Sequence, residues 1–403
     1  MKYIVVLGDG MADEPVEALN GKTPLEVAFK PNIDYLAQNG EVGLVKTIPQ
    51  GMPCGSDTAN LSVMGYDIRK YYTGRSPLEA VSMGINLKDT DVTFRCNLVT
   101  LSDDKDYINK TMIDYSSDEI STVEADELIK CVNKHFANDK FLYYTGISYR
   151  HCLVWDKGKT DFVFTPPHDI LEKKITNYLP KGKYSELLYK MMLKSYDILK
   201  VHPINIEREK RGLRPANSIW LWGQGKKPIL PSFFEKYGVK GAVISAVDLI
   251  KGIGICGGLK VYEVEGATGN INTNFKGKAD AVLGALKDGY DFVYLHIEAP
   301  DECGHRYEID NKVKSIELID NLVVKTLLDG LKNMGDYSIL VLPDHPTPLN
   351  LRTHTSDPVP YVLFRSNKKI SSNITGYDEN KAKSTGIYID EGFTLLDKFL
   401  KSQ

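Results

Sequence analysis

Apolar residues along this chain fall into short runs separated by helix-like spacing. Lys2 to Leu7 reads as a strand, Pro31 to Asn39 as a helix and Gly43 to Ile48 as a second strand. Such alternation predicts an α/β unit with a largely parallel sheet. The same texture returns late in the chain, where Gly241 to Ile244, Leu259 to Val264, Phe292 to Ile297, Ser338 to Leu342 and Pro360 to Phe364 are expected strands. Between two of them, from Lys312 to Met334, Val313, Ile316, Ile319, Leu322, Val323, Leu327 and Leu331 recur three or four apart, which predicts one amphipathic helix.

The middle of the chain has a different character. The runs Val92 to Thr100 and Tyr149 to Trp155 mix polar with apolar positions and read as more solvent-facing strands. Ser121-x-x-Glu124 is a capping-box pattern ahead of Ala125, Leu128, Ile129, Val132 and Phe136, so a helix is expected from Thr122. A second helix is expected from about Ser185 to Leu199. These patterns predict a discontinuous core domain, residues 1–88 and 216–403, interrupted by an α+β domain at residues 89–215.

Composition narrows the range of partners. The 403 residues are 42% apolar and 26% charged, as in an ordinary globular protein, and the formal charge of −3 gives no electrostatic reason to expect nucleic acid or an anionic membrane. A small-molecule partner is expected instead. Cys54, Cys96, Cys131, Cys152, Cys256 and Cys303 are scattered without a Cys-x-x-Cys pair, which argues against a disulfide framework and a thiolate zinc cluster, and for a reducing cytoplasm. No apolar run approaches the roughly 20 residues of a membrane span.

The chemistry lies at the ends of the predicted strands. Asp9 closes the first run, Asp301 and His305 follow Phe292 to Ile297 with Asp-x-x-x-His spacing, and Asp344 and His345 follow Ile339 to Leu342, with His354 nine residues beyond His345. In open α/β sheets ligands bind beyond the carboxyl ends of the strands, so these acids can meet although they are far apart in sequence. Each has an ordinary reading as a turn or helix start, but their joint occurrence at strand ends points to metal. One cation would take Asp301, His305 and His354, and another Asp9, Asp344, His345 and the Ser56 oxygen. Mixed carboxylate and imidazole donors suit Mn²⁺ or Zn²⁺ better than Ca²⁺. A hydroxyl is a poor nucleophile until a base or cation activates it, which makes Ser56, in Gly55-Ser56-Asp57-Thr58, the candidate nucleophile. Its ordinary alternative is to cap a helix over Thr58 to Gly65.

Several longer motifs carry a family resemblance. Gly8-Asp9-Gly10-Met11-Ala12-Asp13, Gly21 to Leu25, Pro31 to Asp34, Gly55 to Ser62, Tyr72 to Arg75, Ile244 to Gly252, Gly266 to Gly269, Glu298 to His305, Pro343 to Pro348 and Arg352 to Thr355 resemble the cofactor-independent phosphoglycerate mutases of the archaeal type. The resemblance spans nearly the whole chain. It implies an alkaline-phosphatase-like α/β core with a mostly parallel sheet flanked by helices, two Mn²⁺ or similar ions (Zn²⁺, Co²⁺ or Mg²⁺ as alternatives), no 2,3-bisphosphoglycerate, and a smaller inserted domain that closes over the substrate. It further implies that Ser56 takes the phosphoryl group of 3-phosphoglycerate and returns it to the other hydroxyl, in glycolysis or gluconeogenesis. Substrate clamps are expected at Arg75, Arg150 and Lys251, because arginine offers a planar fork to carboxylate or phosphate and lysine a point charge. The ordinary alternative for each is a surface ion pair.

One segment departs from the archaeal pattern. Asp114-Tyr115-Ser116 stands where those mutases carry Asp-Arg-Arg, and in this the chain looks more like a bacterial branch proposed to phosphorylate homoserine. A homoserine phosphotransferase, a metal-dependent phosphatase or phosphodiesterase, and a non-catalytic binder of phosphorylated ligands are therefore the rival expectations. No Gly-x-x-x-x-Gly-Lys-Ser/Thr loop is present to make the chain an ordinary nucleotide-dependent kinase.

Overall fold

Strand Lys2–Gly8 runs through the middle of an eight-stranded sheet, hydrogen-bonded on one side to Phe292–Ile297 and on the other to Tyr337–Leu342, both parallel to it. Gly241–Ile244 and Lys260–Val261 extend the parallel portion beyond Phe292–Ile297. On the opposite side Val359–Arg365 pairs antiparallel with both Tyr337–Leu342 and Glu41–Val45, and the short Tyr388–Ile389 closes that edge. The expected strands are therefore present. Their near-continuous apolar character follows from burial on both faces, as parallel strands require.

This computed structural model describes residues 1–370 and 373–401. The chain divides into two compact units, Met1–Tyr72 with Ile229–Gln403, and Thr73–Pro228. In the first unit, Ile4, Val6, Val293, Leu295, Ile339 and Val341 pack with Ile33 and Leu36 of helix Pro31–Gln38 and with Val282 and Leu286 of helix Phe275–Lys287. Ile316, Val323 and Leu327 complete that layer.

The predicted single helix from Lys312 to Met334 is interrupted. Helical turns at Ile309–Leu318 and Lys325–Leu331 flank a π-helical stretch, Ile319–Val324. At the wide turn the buried Asp320 points inward, and its carboxylate accepts hydrogen bonds from the Ile33 amide and the Asn32 side chain, both at 2.7 Å. It thereby satisfies the first turn of Pro31–Gln38, whose own N-cap, Lys30, supplies no side-chain bond.

The second unit is built on a five-stranded antiparallel sheet. Val92–Leu101 lies inside it, paired with Arg150–Trp155 on one side and along most of its length with Ser218–Lys226 on the other. Two expectations are corrected here. The Val92 to Thr100 run is not solvent-facing: every residue of Val92–Leu101 is buried, because strands flank it on both sides and the apolar residues of helices Thr122–Phe136 and Ser185–Lys200 join its core. Its polar side chains are retained because each is bonded, as with Asn97, whose amide oxygen accepts from the Trp222 indole at 3.0 Å. The units also divide at Tyr72/Thr73 and Pro228/Ile229, outside the expected 89–215 limits. Pairing of Val92 with Lys226 through to Val99 with Ser218 binds Ser218–Lys226 into this unit, and Glu79 of helix Ser76–Ser82 ion-pairs with Arg95.

All six cysteines are free. Among the described residues no helix is long and apolar enough to cross a membrane.

Candidate active site

Three adjacent parallel strands deliver three acids to one place. Gly8 pairs with Ile297, and Leu7 with Leu342, so Asp9, Asp301 and Asp344 all leave the sheet from the same edge. The tight turn after Lys2–Gly8 requires glycine at position 10: its φ is +59°, and a side chain there would collide with Thr347 and Asp301. Its amide donates to Asp344 Oδ1 at 3.2 Å.

Asp301 and His305 lie on helix Ala299–His305, where four-residue spacing puts both on one face. His305 Nε2 is 3.3 Å from Asp301 Oδ2, and His354 Nε2 is 3.4 Å from Asp301 Oδ1. The two imidazole Nε2 atoms face each other at 2.9 Å, while His305 Nδ1 donates to the Arg352 carbonyl at 2.9 Å. Against burial, the hydrogen bond to Asp301 raises the His305 imidazole to about 9; a cation that displaced the Nε2 proton would leave the Nδ1 hydrogen on the Arg352 carbonyl and meet a lone pair aimed at the same point as His354 and Asp301. These three residues offer donor atoms within 4.8 Å of one another.

The remaining candidates converge on His345 Nε2. Ser56 Oγ lies 3.2 Å from it, Asp344 Oδ2 3.4 Å and Asp9 Oδ1 3.5 Å. Ser56 is the first residue of helix Ser56–Val63, so the expected helix begins at the candidate nucleophile itself, and the cap residue is Gly55. Asn60, one turn on, donates to the Ser56 carbonyl at 2.8 Å and to Asp344 Oδ2 at 2.7 Å, and accepts from the Tyr294 hydroxyl at 2.6 Å. Thr347 Oγ1 donates to Asp301 Oδ1 at 2.5 Å.

Asp9, Asp301 and Asp344 are all buried, and among the described residues no lysine or arginine pairs with any of them. Burial, followed by the neighbouring Asp344 and Asp301, pushes the Asp9 carboxyl well above its usual range. For Asp301 burial acts in the same direction, but hydrogen bonds from His305 and His354 outweigh it and hold the carboxyl low. Asp9 Oδ1 is buried without a hydrogen-bond partner. Such an orphan acceptor beside imidazole and carboxylate donors fits a divalent cation.

Comparison with other proteins gives the same direction. The family described as 2,3-bisphosphoglycerate-independent phosphoglycerate mutase matches residues 37–205. A Geobacter sulfurreducens protein described as a probable 2,3-bisphosphoglycerate-independent phosphoglycerate mutase is 51% identical over 99% of this chain and 100% of its own length. The 2,3-bisphosphoglycerate-independent phosphoglycerate mutase of Methanothrix thermoacetophila is 49% identical over 98% of both chains. The chain belongs to this mutase family. Among solved structures, the cofactor-independent phosphoglycerate mutase of Thermoplasma acidophilum matches with a TM-score of 0.64 at 26% identity, over 99% of both chains.

The second unit of this family member holds a cationic cluster of its own. Arg75 Nε and Arg95 Nε lie 2.8 and 2.9 Å from the two oxygens of Glu79. Burial alone would push the Glu79 carboxyl up, but Arg95, Arg75 and Arg150 hold it below its usual range. Arg95 stacks over Trp222 at 4.2 Å, and burial pulls its guanidinium down to about 10. Two arginines thus pair with one carboxylate and the charge of a third acts on it, an excess of positive charge that an anionic ligand group would offset. Lys251, in the first unit, forms an ion pair with Glu263 at 2.7 Å. Asp114-Tyr115-Ser116 makes a turn in which Asp114 accepts from the Ser116 amide and hydroxyl, both at 2.8 Å.

Sequence reasoning overlooked Arg95, Glu79, Asn60, Thr347 and His296. The last carried a visible signal, an imidazole inside an otherwise apolar strand run. The others look ordinary until their neighbours are known.

Proposed function

We propose that this protein interconverts 3-phosphoglycerate and 2-phosphoglycerate through a phosphorylated Ser56. The observation that carries the reading is the convergence of Ser56 Oγ, Asp9, Asp344 and His345 beside the Asp301, His305 and His354 triad, with three buried carboxylates that no lysine or arginine among the described residues pairs with. Asp301, His305 and His354 would hold one divalent cation, and Asp9, Asp344, His345 and Ser56 a second. Their mixed oxygen and nitrogen donors favour Mn²⁺, with Zn²⁺, Co²⁺ or Mg²⁺ as alternatives. Bound there, such ions supply Lewis acidity, which lowers the pKa of a hydroxyl and offsets phosphoryl charge.

Ser56, its proton lost, attacks phosphorus, and the bond from phosphorus to the glycerate oxygen breaks as the Ser56 oxygen–phosphorus bond forms. The departing glycerate oxygen keeps the bonding pair and takes up a proton. In the return step the other glycerate hydroxyl gives up its proton and attacks phosphorus, and the Ser56 oxygen–phosphorus bond breaks as the Ser56 oxygen keeps the bonding pair and regains a proton. The amide groups at the start of Ser56–Val63 face the phosphoryl oxygens. Arg75, Arg95 and Arg150 form the anion site of the second unit for the substrate's carboxylate or phosphate, and water exclusion keeps phospho-Ser56 from hydrolysis. The reaction belongs to glycolysis and gluconeogenesis, which fits a cytoplasmic enzyme. Lys251 is left as a weaker clamp because Glu263 already pairs with it.

The test is conversion of 3-phosphoglycerate after chelation and Mn²⁺ add-back, with mass spectrometry of the Ser56 peptide. Wild type should isomerise the substrate only with metal and carry phosphate on Ser56. Ser56→Ala should retain its fold and lose turnover. Steady phosphate release without isomerisation would make the protein a hydrolase, and phosphorylation of homoserine with inert phosphoglycerate would make it a homoserine phosphotransferase.

A further inference from the structure

We propose that Ser245 and His296 are positioning residues that lock Asp9 so that one of its oxygens is reserved for a divalent cation. The proposal rests on the cation reading of Asp9 given above, and it adds residues which that reading does not use.

His296 lies in the central strand Phe292–Ile297, fully buried among apolar neighbours. An imidazole in such a place must have both nitrogens occupied or it forfeits its hydration without return. Here both are occupied. Nε2 lies 2.8 Å from Asp9 Oδ2, and Nδ1 lies 3.2 Å from Ser245 Oγ.

The direction of these bonds follows from counting hydrogens. Ser245 Oγ accepts the Val247 amide at 2.9 Å and keeps its own hydrogen available to donate to His296 Nδ1 wherever Nε2 carries the imidazole proton. When Asp9 holds a cation its carboxylate can only accept, so the one N–H of a neutral imidazole sits on Nε2 and donates to Asp9 Oδ2. The opposite tautomer would set a nitrogen lone pair against a carboxylate oxygen. A relay of one sense therefore runs from the Val247 amide through Ser245 and His296 to Asp9.

Its consequence falls on the other Asp9 oxygen. With Oδ2 held, Oδ1 is fixed on the side of His345 Nε2, 3.5 Å away, without a hydrogen-bond partner. Asp344 differs: its Oδ1 accepts two backbone amides and its Oδ2 accepts Asn60. Asp9 alone among these two offers an oxygen kept bare by the protein. The same bookkeeping of hydrogens excludes His296 as a ligand, even though its ring lies within donor distance of Asp9 and Asp344. Both its nitrogens are committed, so these three residues do not make a separate cation site. Groups that orient a ligand in this way typically contribute roughly 10–100-fold to metal affinity.

Mn²⁺ titration of the chelated full-length protein by calorimetry tests this, alongside melting of the chelated protein and steady-state kinetics across Mn²⁺ concentrations. Ser245→Ala touches Asp9 only through His296 and should weaken one Mn²⁺ site by about 10-fold or more. His296→Phe should weaken it further, whereas His296→Gln, which keeps a donor, should recover part of the loss. Saturating Mn²⁺ should restore most of the turnover of Ser245→Ala, and melting of its metal-free form should stay near wild type. Unchanged Mn²⁺ affinity in Ser245→Ala and His296→Gln overturns the proposal. Complete loss of one equivalent in His296→Gln, with Ser245→Ala unaffected, overturns it by making His296 a ligand. Failure of the wild type itself to bind Mn²⁺ or its alternatives would instead sink the cation reading, and the positioning role with it.

Discussion

Asn60 and Asp344 are joined by a buried hydrogen bond of 2.7 Å that ties the helix opening at Ser56 to the sheet edge. The amide orientation is settled by chemistry, since the Ser56 carbonyl can only accept, which fixes the amide nitrogen, and the Tyr294 hydroxyl then donates to the Asn60 oxygen. Asn60→Asp would turn a donor into an acceptor against Asp344, leaving charge facing charge in a buried place. We expect a loss of about 3 kcal/mol or more in stability, the scale for an uncompensated buried charge. Turnover should fall with it, because Ser56 is held by the same amide through its carbonyl. Thermal unfolding of the chelated protein, measured beside kcat, checks both; a variant as stable and active as wild type would deny Asn60 its role.

Lys312 and Asp13 form a fully buried ion pair at 2.6 Å, and Lys312 also donates to the Thr347 carbonyl at 2.8 Å. Asp13 in turn accepts the Leu349 amide at 3.1 Å. The pair holds the loop that carries Thr347, which bonds Asp301. Lys312→Met should cost roughly 3–5 kcal/mol, since it strands the Asp13 carboxylate in the interior. Adding Asp13→Asn should recover a substantial part of that loss. Denaturant titration of both variants measures the coupling, and simple additivity of the two losses would contradict it.

The core of the candidate site could be read before any coordinates because its chemistry sits at strand ends, where local pattern and function coincide. Asp9, Asp301 and Asp344 each follow an apolar run, and His305 stands one helical turn after Asp301. What could not be read depended on partners remote in sequence. His296 matters only because Asp9 and Ser245 stand beside it, across neighbouring strands, and Arg95 only because Glu79 and Trp222 flank it. The unit boundary failed for the same reason: pairing of Val92–Leu101 with Ser218–Lys226 joins segments more than a hundred residues apart, which composition does not register. Polar Thr93, Asn97 and Thr100 suggested solvent exposure, whereas their hydrogen bonds let them sit inside the second unit.

The arginine cluster separates binding from stability. Arg150 is exposed at the start of its strand, so Arg150→Ala should change stability by no more than about 0.5 kcal/mol. If it contributes to the anion site, KM for 3-phosphoglycerate should rise about tenfold, the equivalent of roughly 1.4 kcal/mol of binding. Arg95→Met, by contrast, removes a buried partner of Glu79 and should both destabilise the protein and raise KM. An Arg150→Ala enzyme with unchanged KM would remove that residue from the substrate site.

Glu379 provides a pH signature away from the acid cluster. Its Oε2 accepts the Thr23 hydroxyl at 2.6 Å and its Oε1 the Asp13 amide at 3.0 Å, yet burial outweighs both and raises its carboxyl from 4.5 to about 7. Between these values the folded protein retains a proton that the unfolded chain has released. Because the unfolded state binds fewer protons there, stability falls as pH rises from about 4.5 to about 7, and this group adds no further slope outside the window. The total is on the order of 1–3 kcal/mol. Glu379→Gln removes the titration while keeping a side chain of the same shape, so the stability of the variant relative to wild type should increase with pH across that interval. Melting temperatures of both chelated proteins at matched pH isolate the effect, since every other titrating group cancels in the difference. Parallel curves would mean that the Glu379 carboxyl ionises in the folded protein as it does in the unfolded chain.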